Sequence, residues 1–272
     1  MTKVKLALCQ MKVSFKSKSI NINKAIQMIE EASFKSADLA ILPEMFNCSS
    51  KDYSDFAESL DDSETLDAIS KAAKKYNIYV LAGSIPERTE DSEKIYNTSV
   101  LFDDNGKVIA VHRKLHLYDN NLDYPFSYKE SDFLSSGNQI TVVDTKFAKI
   151  GIGICYDISF IEVSRIMALK GAKILIFPGN FNLVNGSTHW DLLFRSRASD
   201  NQVFTVGVGS TLNGTYGHSL IVNPYGKIVA QLDYNEEVLI HEIDLNDVDK
   251  ARNDFPILEH RRDDIYDVIL KD

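Results

Sequence analysis

An α/β fold with two sheets covered by helices is the class this chain predicts. Three observations carry the prediction. Short apolar runs of strand length alternate with segments whose apolar residues recur at helical spacing. The succession occurs twice, once in each half, and each half also carries a hairpin with a clear turn signal. With 272 residues, 44% of them hydrophobic and 25% charged, the chain can build a large core. No linker, low-complexity tract or solenoid repeat divides it, so residues 1–272 read as one domain.

In the first half the pattern predicts a strand over Val4 to Leu8, a helix from about Asn23 to Ala32 and a strand over Asp38 to Leu42. A helix over Leu66 to Tyr76 follows, with Leu66, Ile69, Ala73 and Tyr76 on one face and Ser63 as its start, then a strand over Ile78 to Ser84. Ile95 to Phe102 and Lys107 to Val111 form a hairpin through Asp103-Asp104-Asn105-Gly106. The second half repeats the order: strand Lys149 to Ile154, helix Ile161 to Lys170 stopped at Gly171, strand Lys173 to Phe177. A helix over Thr188 to Asn201 buries Trp190, Leu193, Phe194 and Ala198, with Thr188 and Asp191 as a near capping box. Strand Val203 to Val208 and a hairpin over Ser219 to Leu232, turned at Pro224-Tyr225-Gly226, complete it.

The stretch Lys149 to Asp157, KIGIGICYD, carries the clearest chemistry. Its β-branched Ile150, Ile152 and Ile154 read as a buried strand that delivers Cys155 to a strand-to-helix junction, where free backbone N–H groups can receive an oxyanion. Cys155 is either a nucleophile or a buried structural thiol. Glu44 follows a buried run, ADLAIL, broken at Pro43; such a carboxylate serves as a general base or as a solvated loop acid. Lys114, in HRKLHL, either lies against a carboxylate and stabilises an oxyanion or is an exposed charge.

A net charge of −9 and a pI near 5.2 argue against nucleic acid and an anionic membrane surface as partners, since phosphate binding needs a basic stripe. The amino terminus reads as a strand, not a secretory signal, and no apolar stretch approaches a membrane span, so the expected location is cytoplasmic. Cysteines at 9, 48 and 155 are odd in number and widely spaced, which fits neither a disulfide framework nor a CxxC metal site. His112 and His116 are four apart but have no third ligand in view, so neither a metal nor another cofactor is expected.

Taken together, Glu44 in LPEMF, Lys114 in HRKLHL and Cys155 in GICYD resemble the Glu-Lys-Cys triad of the nitrilase superfamily of carbon-nitrogen hydrolases. Lys114 follows Glu44 by 70 residues and Cys155 follows Lys114 by 41, in keeping with the family order. GNFNLVNGSTHWDLLFRSRASDNQVF and YGHSLIVNPYGKIVA look like its later blocks, so the likeness covers nearly the whole chain. The FNLxxGxxHW and RAxDNQV patterns and PFSYKES look most like the omega-amidase branch. The resemblance implies a four-layer α-β-β-α sandwich and a homodimer or higher homo-oligomer, with the tail from about 246 to 272 against the partner; read alone, that tail packs equally well on its own subunit.

It further implies acyl transfer through a thioester with a small-molecule amide as substrate. Glu44 is then the base, Cys155 the nucleophile, and Lys114 with the backbone N–H of Tyr156 the oxyanion site. Glu130, in YKES, matches a second glutamate beside the lysine, orienting Lys114 or the substrate, or else simply starting a helix. Asp157 and His189 support the elbow and the pocket, or serve packing and capping. Asn180, Phe181 and Thr188 match pocket-wall positions. The chain departs from the branch at Ser159, where an arginine is expected to pair with a substrate carboxylate; a serine supplies no bidentate cation. The segment 209–216 before YGHS is also shorter than the branch's loop. The leading expectation is an omega-amidase acting on a keto-acid monoamide such as 2-oxoglutaramate. The alternatives are a hydrolase of N-carbamoyl compounds, aliphatic amides or nitriles with the same triad, and a catalytically silent binding or scaffold homologue.

Overall fold

The computed structural model describes residues 2–14, 17–48, 53–90, 92–123, 127–211 and 214–271. Pro125 and Phe126 of PFSYKES, and Leu212 and Asn213 of the shortened loop, lie outside the described residues.

The first half runs β1 (Lys3–Gln10), α1 (Lys18–Phe34), β2 (Leu39–Ile41), α2 (Glu64–Tyr76), β3 (Tyr79–Glu87), β4 (Ile95–Phe102), β5 (Val108–Arg113) and β6 (Leu134–Ser135). The second runs β7 (Thr141–Asp144), β8 (Lys149–Ile152), α3 (Ile161–Leu169), β9 (Ile174–Gly179), α4 (Leu183–Asn201), β10 (Phe204–Gly209), β11 (Leu220–Val222) and β12 (Ile228–Gln231). β13 (Glu237–Asp244) and α5 (Asn246–Asp254) follow. One sheet has the order β13-β1-β2-β3-β4-β5 with β6 on β4, and the other β12-β11-β10-β9-β8-β7. The central strands β1, β2, β3 and β8, β9, β10 are parallel, and the flanking hairpins antiparallel.

Three apolar layers show the sandwich. Strand alternation sends Ala7, Cys9, Ala40 and Val80 toward Ala25, Ile29 and Ala32 of α1 and Ile69 and Ala73 of α2. It sends Leu6, Leu8, Ile41 and Leu81 toward Ile150, Ile152, Ile176 and Val206 of the other sheet. The outer face of that sheet, with Leu175, Phe177 and Leu220, meets Val163 and Met167 of α3 and Trp190, Phe194 and Ala198 of α4. Helix, sheet, sheet and helix are therefore stacked in that order, the α-β-β-α arrangement.

Most predicted elements appear within a few residues of their expected ends, and Ser63 caps α2 by accepting from the Leu66 N–H at 2.9 Å. Two expectations are corrected. The helix expected from Thr188 begins at Leu183, capped by Asn182, whose Oδ1 accepts from Asn185 N–H at 2.8 Å. Thr188 and Asp191 lie inside that helix, so they form no capping box; exposed Leu183 and Val184 hid the first turn from apolar spacing. β13 was absent from the sequence reading, yet it pairs with β1 from Lys3–Asp244 to Gln10–Glu237. Val248 and Ala251 bury α5 on this chain, whereas Phe255, Ile257, Ile265, Tyr266 and Ile269 beyond it are exposed. Among the described residues no helix is long and apolar enough to cross a membrane.

Candidate active site

Glu44 and Cys155 follow the carboxyl ends of the parallel strands β2 and β8, where open α/β sheets expose backbone to a ligand, and Lys114 follows the antiparallel β5. After β2 the chain turns at Pro43, with Met45 at a φ of 51° and its N–H donating to Ser84 Oγ at 2.8 Å, which presents Glu44 inward. After β5, Lys114 N–H donates to Asn97 O at 2.8 Å and its carbonyl accepts from Gly137 N–H at 2.8 Å. After β8, a short 3-10 turn spans Cys155–Ser159, and Cys155 sits at a φ of 49°, in the left-handed region that non-glycine residues rarely adopt. Space opposite it is tight: a Cβ on Gly179, at the end of β9, would stand 3.2 Å from Cys155 Cα.

Glu44, Lys114 and Glu130 are only 4, 1 and 7% exposed, and they form one cluster. Lys114 Nζ lies 3.1 Å from Glu44 Oε1 and 2.9 Å from Glu130 Oε1. Asn97 Nδ2 donates to Glu44 Oε1 and Asn180 N–H to Glu44 Oε2, both at 2.8 Å. Asn180 Nδ2 also donates to the Glu44 carbonyl at 2.8 Å, and Ser210 Oγ donates to Asn180 Oδ1 at 2.6 Å. Glu130 is oriented by the Tyr118 N–H, which donates to its Oε2 at 2.7 Å. Glu130 also opens a short 3-10 helix, Glu130–Asp132, so it is a helix start as well as a contact of Lys114.

The charges set the resting state. Burial works against the Lys114 ammonium, but Glu44 and Glu130 outweigh it and hold its pKa well above the ordinary lysine value. Burial, then Glu44, push the Cys155 thiol well up; Lys114 and the Asn180 backbone pull the other way and lose. Burial raises Glu130, with Lys114 opposing and Glu44 adding to the rise. A thiol beside a surplus of carboxylate needs a base and an incoming electrophile before it becomes a thiolate.

The other expected residues take different places. The Tyr156 ring packs edge-on against Tyr118 and Phe160, with centroids 5.2 Å away in each case. Phe181 stacks edge-on to Trp190 at 5.1 Å, and its carbonyl accepts from Tyr216 N–H at 2.8 Å. The Ser159 carbonyl accepts from Arg197 Nη2 at 3.0 Å. Thr188 and His189 are exposed on α4 and make no hydrogen bond to the cluster among the described residues. Asp157 is fully buried, and His112 and His116 both bond to it, at 3.3 and 2.9 Å, which explains their spacing. Among the described residues no group of three His, Cys, Asp or Glu could hold a metal ion. Asn97 and Tyr118 escaped the sequence reading; Asn97 stands beside Thr98 and Ser99 in the strand IYNTSVLF, with nothing in the sequence to mark its partner.

This geometry agrees with comparisons to known proteins. Residues 5–253 match the carbon-nitrogen hydrolase family. The omega-amidase NIT2-B of Xenopus laevis is 40% identical, over 98% of this chain and 98% of that protein. The omega-amidase NIT3 of Saccharomyces cerevisiae is 40% identical over 97% of this chain and 95% of its own length. The crystal structure of Saccharomyces cerevisiae Nit3, a member of branch 10 of the nitrilase superfamily, superposes with a TM-score of 0.88 at 38% identity, covering 96% of this chain and 97% of that one. The match over residues 5–253, the full-length relatives and the shared fold of Nit3 place the chain in the carbon-nitrogen hydrolase family of the nitrilase superfamily.

Proposed function

We propose that the protein is a thiol amidase that hydrolyses a small linear amide to the acid and ammonia, an omega-amidase acting on dicarboxylic keto-acid monoamides such as 2-oxoglutaramate. The observation that carries the chemistry is the buried Glu44–Lys114–Glu130 cluster, close enough to Cys155 for its charges to act on the thiol. The full-length likeness to omega-amidases supports the substrate class.

Glu44 takes the thiol proton as Cys155 Sγ bonds to the amide carbon. The oxyanion that develops is met by the Lys114 ammonium and the backbone N–H of Tyr156. Collapse breaks the C–N bond, and the proton held by Glu44 leaves with the nitrogen as ammonia. Water, deprotonated by Glu44, then attacks the thioester carbon; the acid departs and the thiol is restored. Asn97 and Asn180 hold the two oxygens of Glu44 for this shuttle. Glu130, Tyr156, Ser159, Asn180, Phe181 and Thr188 stand as substrate-binding positions. Ser159 favours a second reading with the same triad, since no arginine stands there to pair with a substrate carboxylate: an N-carbamoyl compound, a neutral amide or a nitrile as substrate.

The test is ammonia release from 2-oxoglutaramate, 2-oxosuccinamate, N-carbamoyl amino acids, neutral amides and nitriles, with Cys155→Ala as control. Cys155-dependent turnover of the keto-acid amides is expected; turnover of the other compounds alone moves the assignment to the second reading, and none at all to a binding or scaffold role. The free thiols Cys9, Cys48 and Cys155 suit a reducing compartment, the cytoplasm, and the exposed apolar tail suits a homodimer.

A further inference from the structure

The catalytic groups come from both sheets: Glu44 and Lys114 from the first, Cys155 from the second. Nothing covalent holds them in register, so the register must be set by contacts across the gap. Glu44 has such a contact in Asn180, whose backbone and side chain both reach it from the end of β9. Lys114 has one of a different kind. The carboxylate of Asp157, two residues past the nucleophile, accepts from residues on both sides of Lys114. His112 Nε2 lies 3.3 Å from Oδ2 and His116 Nδ1 lies 2.9 Å from Oδ1. The backbone N–H of His116 donates to Oδ1 at 2.9 Å and that of Leu115 to Oδ2 at 3.4 Å. The same Oδ2 takes the Ile154 N–H at 2.9 Å, immediately before Cys155. Two outer contacts complete the clasp: His112 Nδ1 meets Thr141 Oγ1 on β7 at 3.1 Å, and the His116 ring stacks on Phe160 with centroids 3.6 Å apart.

From this geometry we infer that Asp157, with His112 and His116, is a positioning clasp that sets the Lys114 ammonium against the Cys155 sulfur. It rests on the catalytic reading above and deepens it: the aspartate touches neither substrate nor reacting atoms and acts through the lysine. Misplacement of an oxyanion donor by about 1 Å costs on the order of 100-fold in rate. Loss of the clasp therefore lowers kcat and leaves KM within about threefold.

The test reads the lysine through the thiol. Lys114 is the charge that favours the Cys155 thiolate, against Glu44 and Glu130. In Asp157→Asn, removal of a nearby negative charge by itself would favour the thiolate, and a loosened fold would uncover the buried thiols; both speed alkylation. A displaced Lys114 slows it. Iodoacetamide labelling of Cys155 at pH 8, followed by peptide mass spectrometry, is expected to slow by about tenfold, the effect of one pKa unit on the thiolate fraction. The partly exposed His116→Phe, which keeps the stack on Phe160 and removes only the Nδ1 contact, is expected to slow it less and in the same direction. Labelling at or above the wild-type rate in His116→Phe and in a folded Asp157→Asn overturns the clasp. Should Asp157→Asn fail to fold, His116→Phe decides alone. Because labelling needs no amide substrate, a failure of wild-type protein on the amide panel overturns the amidase reading and leaves this result standing.

Discussion

Arg113 and Lys114 are neighbours at the end of β5, and each meets a buried carboxylate, yet the two ion pairs have opposite characters. Arg113 lays its fork on Glu87, Nε to Oε2 at 2.8 Å and Nη2 to Oε1 at 2.5 Å, while Thr98 Oγ1 adds a donor at 2.6 Å. A guanidinium does not give up its proton, and its planar fork matches one carboxylate, so that pair is balanced and inert. Lys114 is a point charge divided between Glu44 and Glu130 beside a thiol. There the acidic groups outnumber the cation, and the proposed reaction moves a proton between Cys155 and Glu44. Burial alone makes neither pair reactive; the unmatched count does.

The largest effect that tests this contrast is at Glu44. Glu44→Gln keeps the shape and removes the base, and amide turnover is expected to fall by 100-fold to 10,000-fold, roughly the worth of general acid–base catalysis. Glu130→Gln keeps the donor to Glu44 in place but evens the count, leaving one carboxylate to the Lys114 ammonium; a loss of about 10-fold to 100-fold is expected in kcat by steady-state kinetics. Glu87→Gln marks the inert side: a stability loss of about 1–3 kcal/mol by denaturant unfolding, from a buried carboxylate that no longer answers Arg113, with kcat within about threefold. Were Glu87→Gln to cut turnover as deeply as Glu130→Gln, the contrast would fail.

The smallest effect sharpens it on a fourth carboxylate. Burial pushes Glu58 up, but Lys18, Ser63 and Thr65 outweigh it and hold Glu58 below the ordinary glutamate value. The sign follows from linkage: its contribution is present above the unfolded pKa of about 4.3 and is lost as pH falls through the lower folded value. Glu58→Gln is expected to remove that part of the acid slope, on the order of 1 kcal/mol, as read from unfolding curves between pH 3 and 6.

Much of the site was legible because it sits where local signals are sharp. Glu44, Lys114 and Cys155 each end a strand whose apolar run is plain in the sequence, and the motif order supplied their association. Asn97 was not legible, because a polar residue within a strand signals no partner until the neighbouring strands are placed. β13 was missed for a related reason: in EVLIHEID the charged residues of an edge strand blur the alternation that marks half-buried strands. The first turn of α4 was missed because its exposed Leu183 and Val184 face no core.

The pairing of β1 with β13 joins the first strand of the chain to its last, Lys3 with Asp244. Contacts so distant in sequence close only after a large loss of chain entropy, and chains dominated by them fold slowly. Gln10, at the end of β1, also reaches forward to Ser219 and to the Asp233 and Asn235 carbonyls, so β1 meets β2 early but finds the partners on its other side late in synthesis. A ribosome-bound chain that has already produced Cys155 still lacks the strand that completes the first sheet. Lys114 then lies on a sheet whose edge is open, and the nucleophile is made before its surroundings are closed.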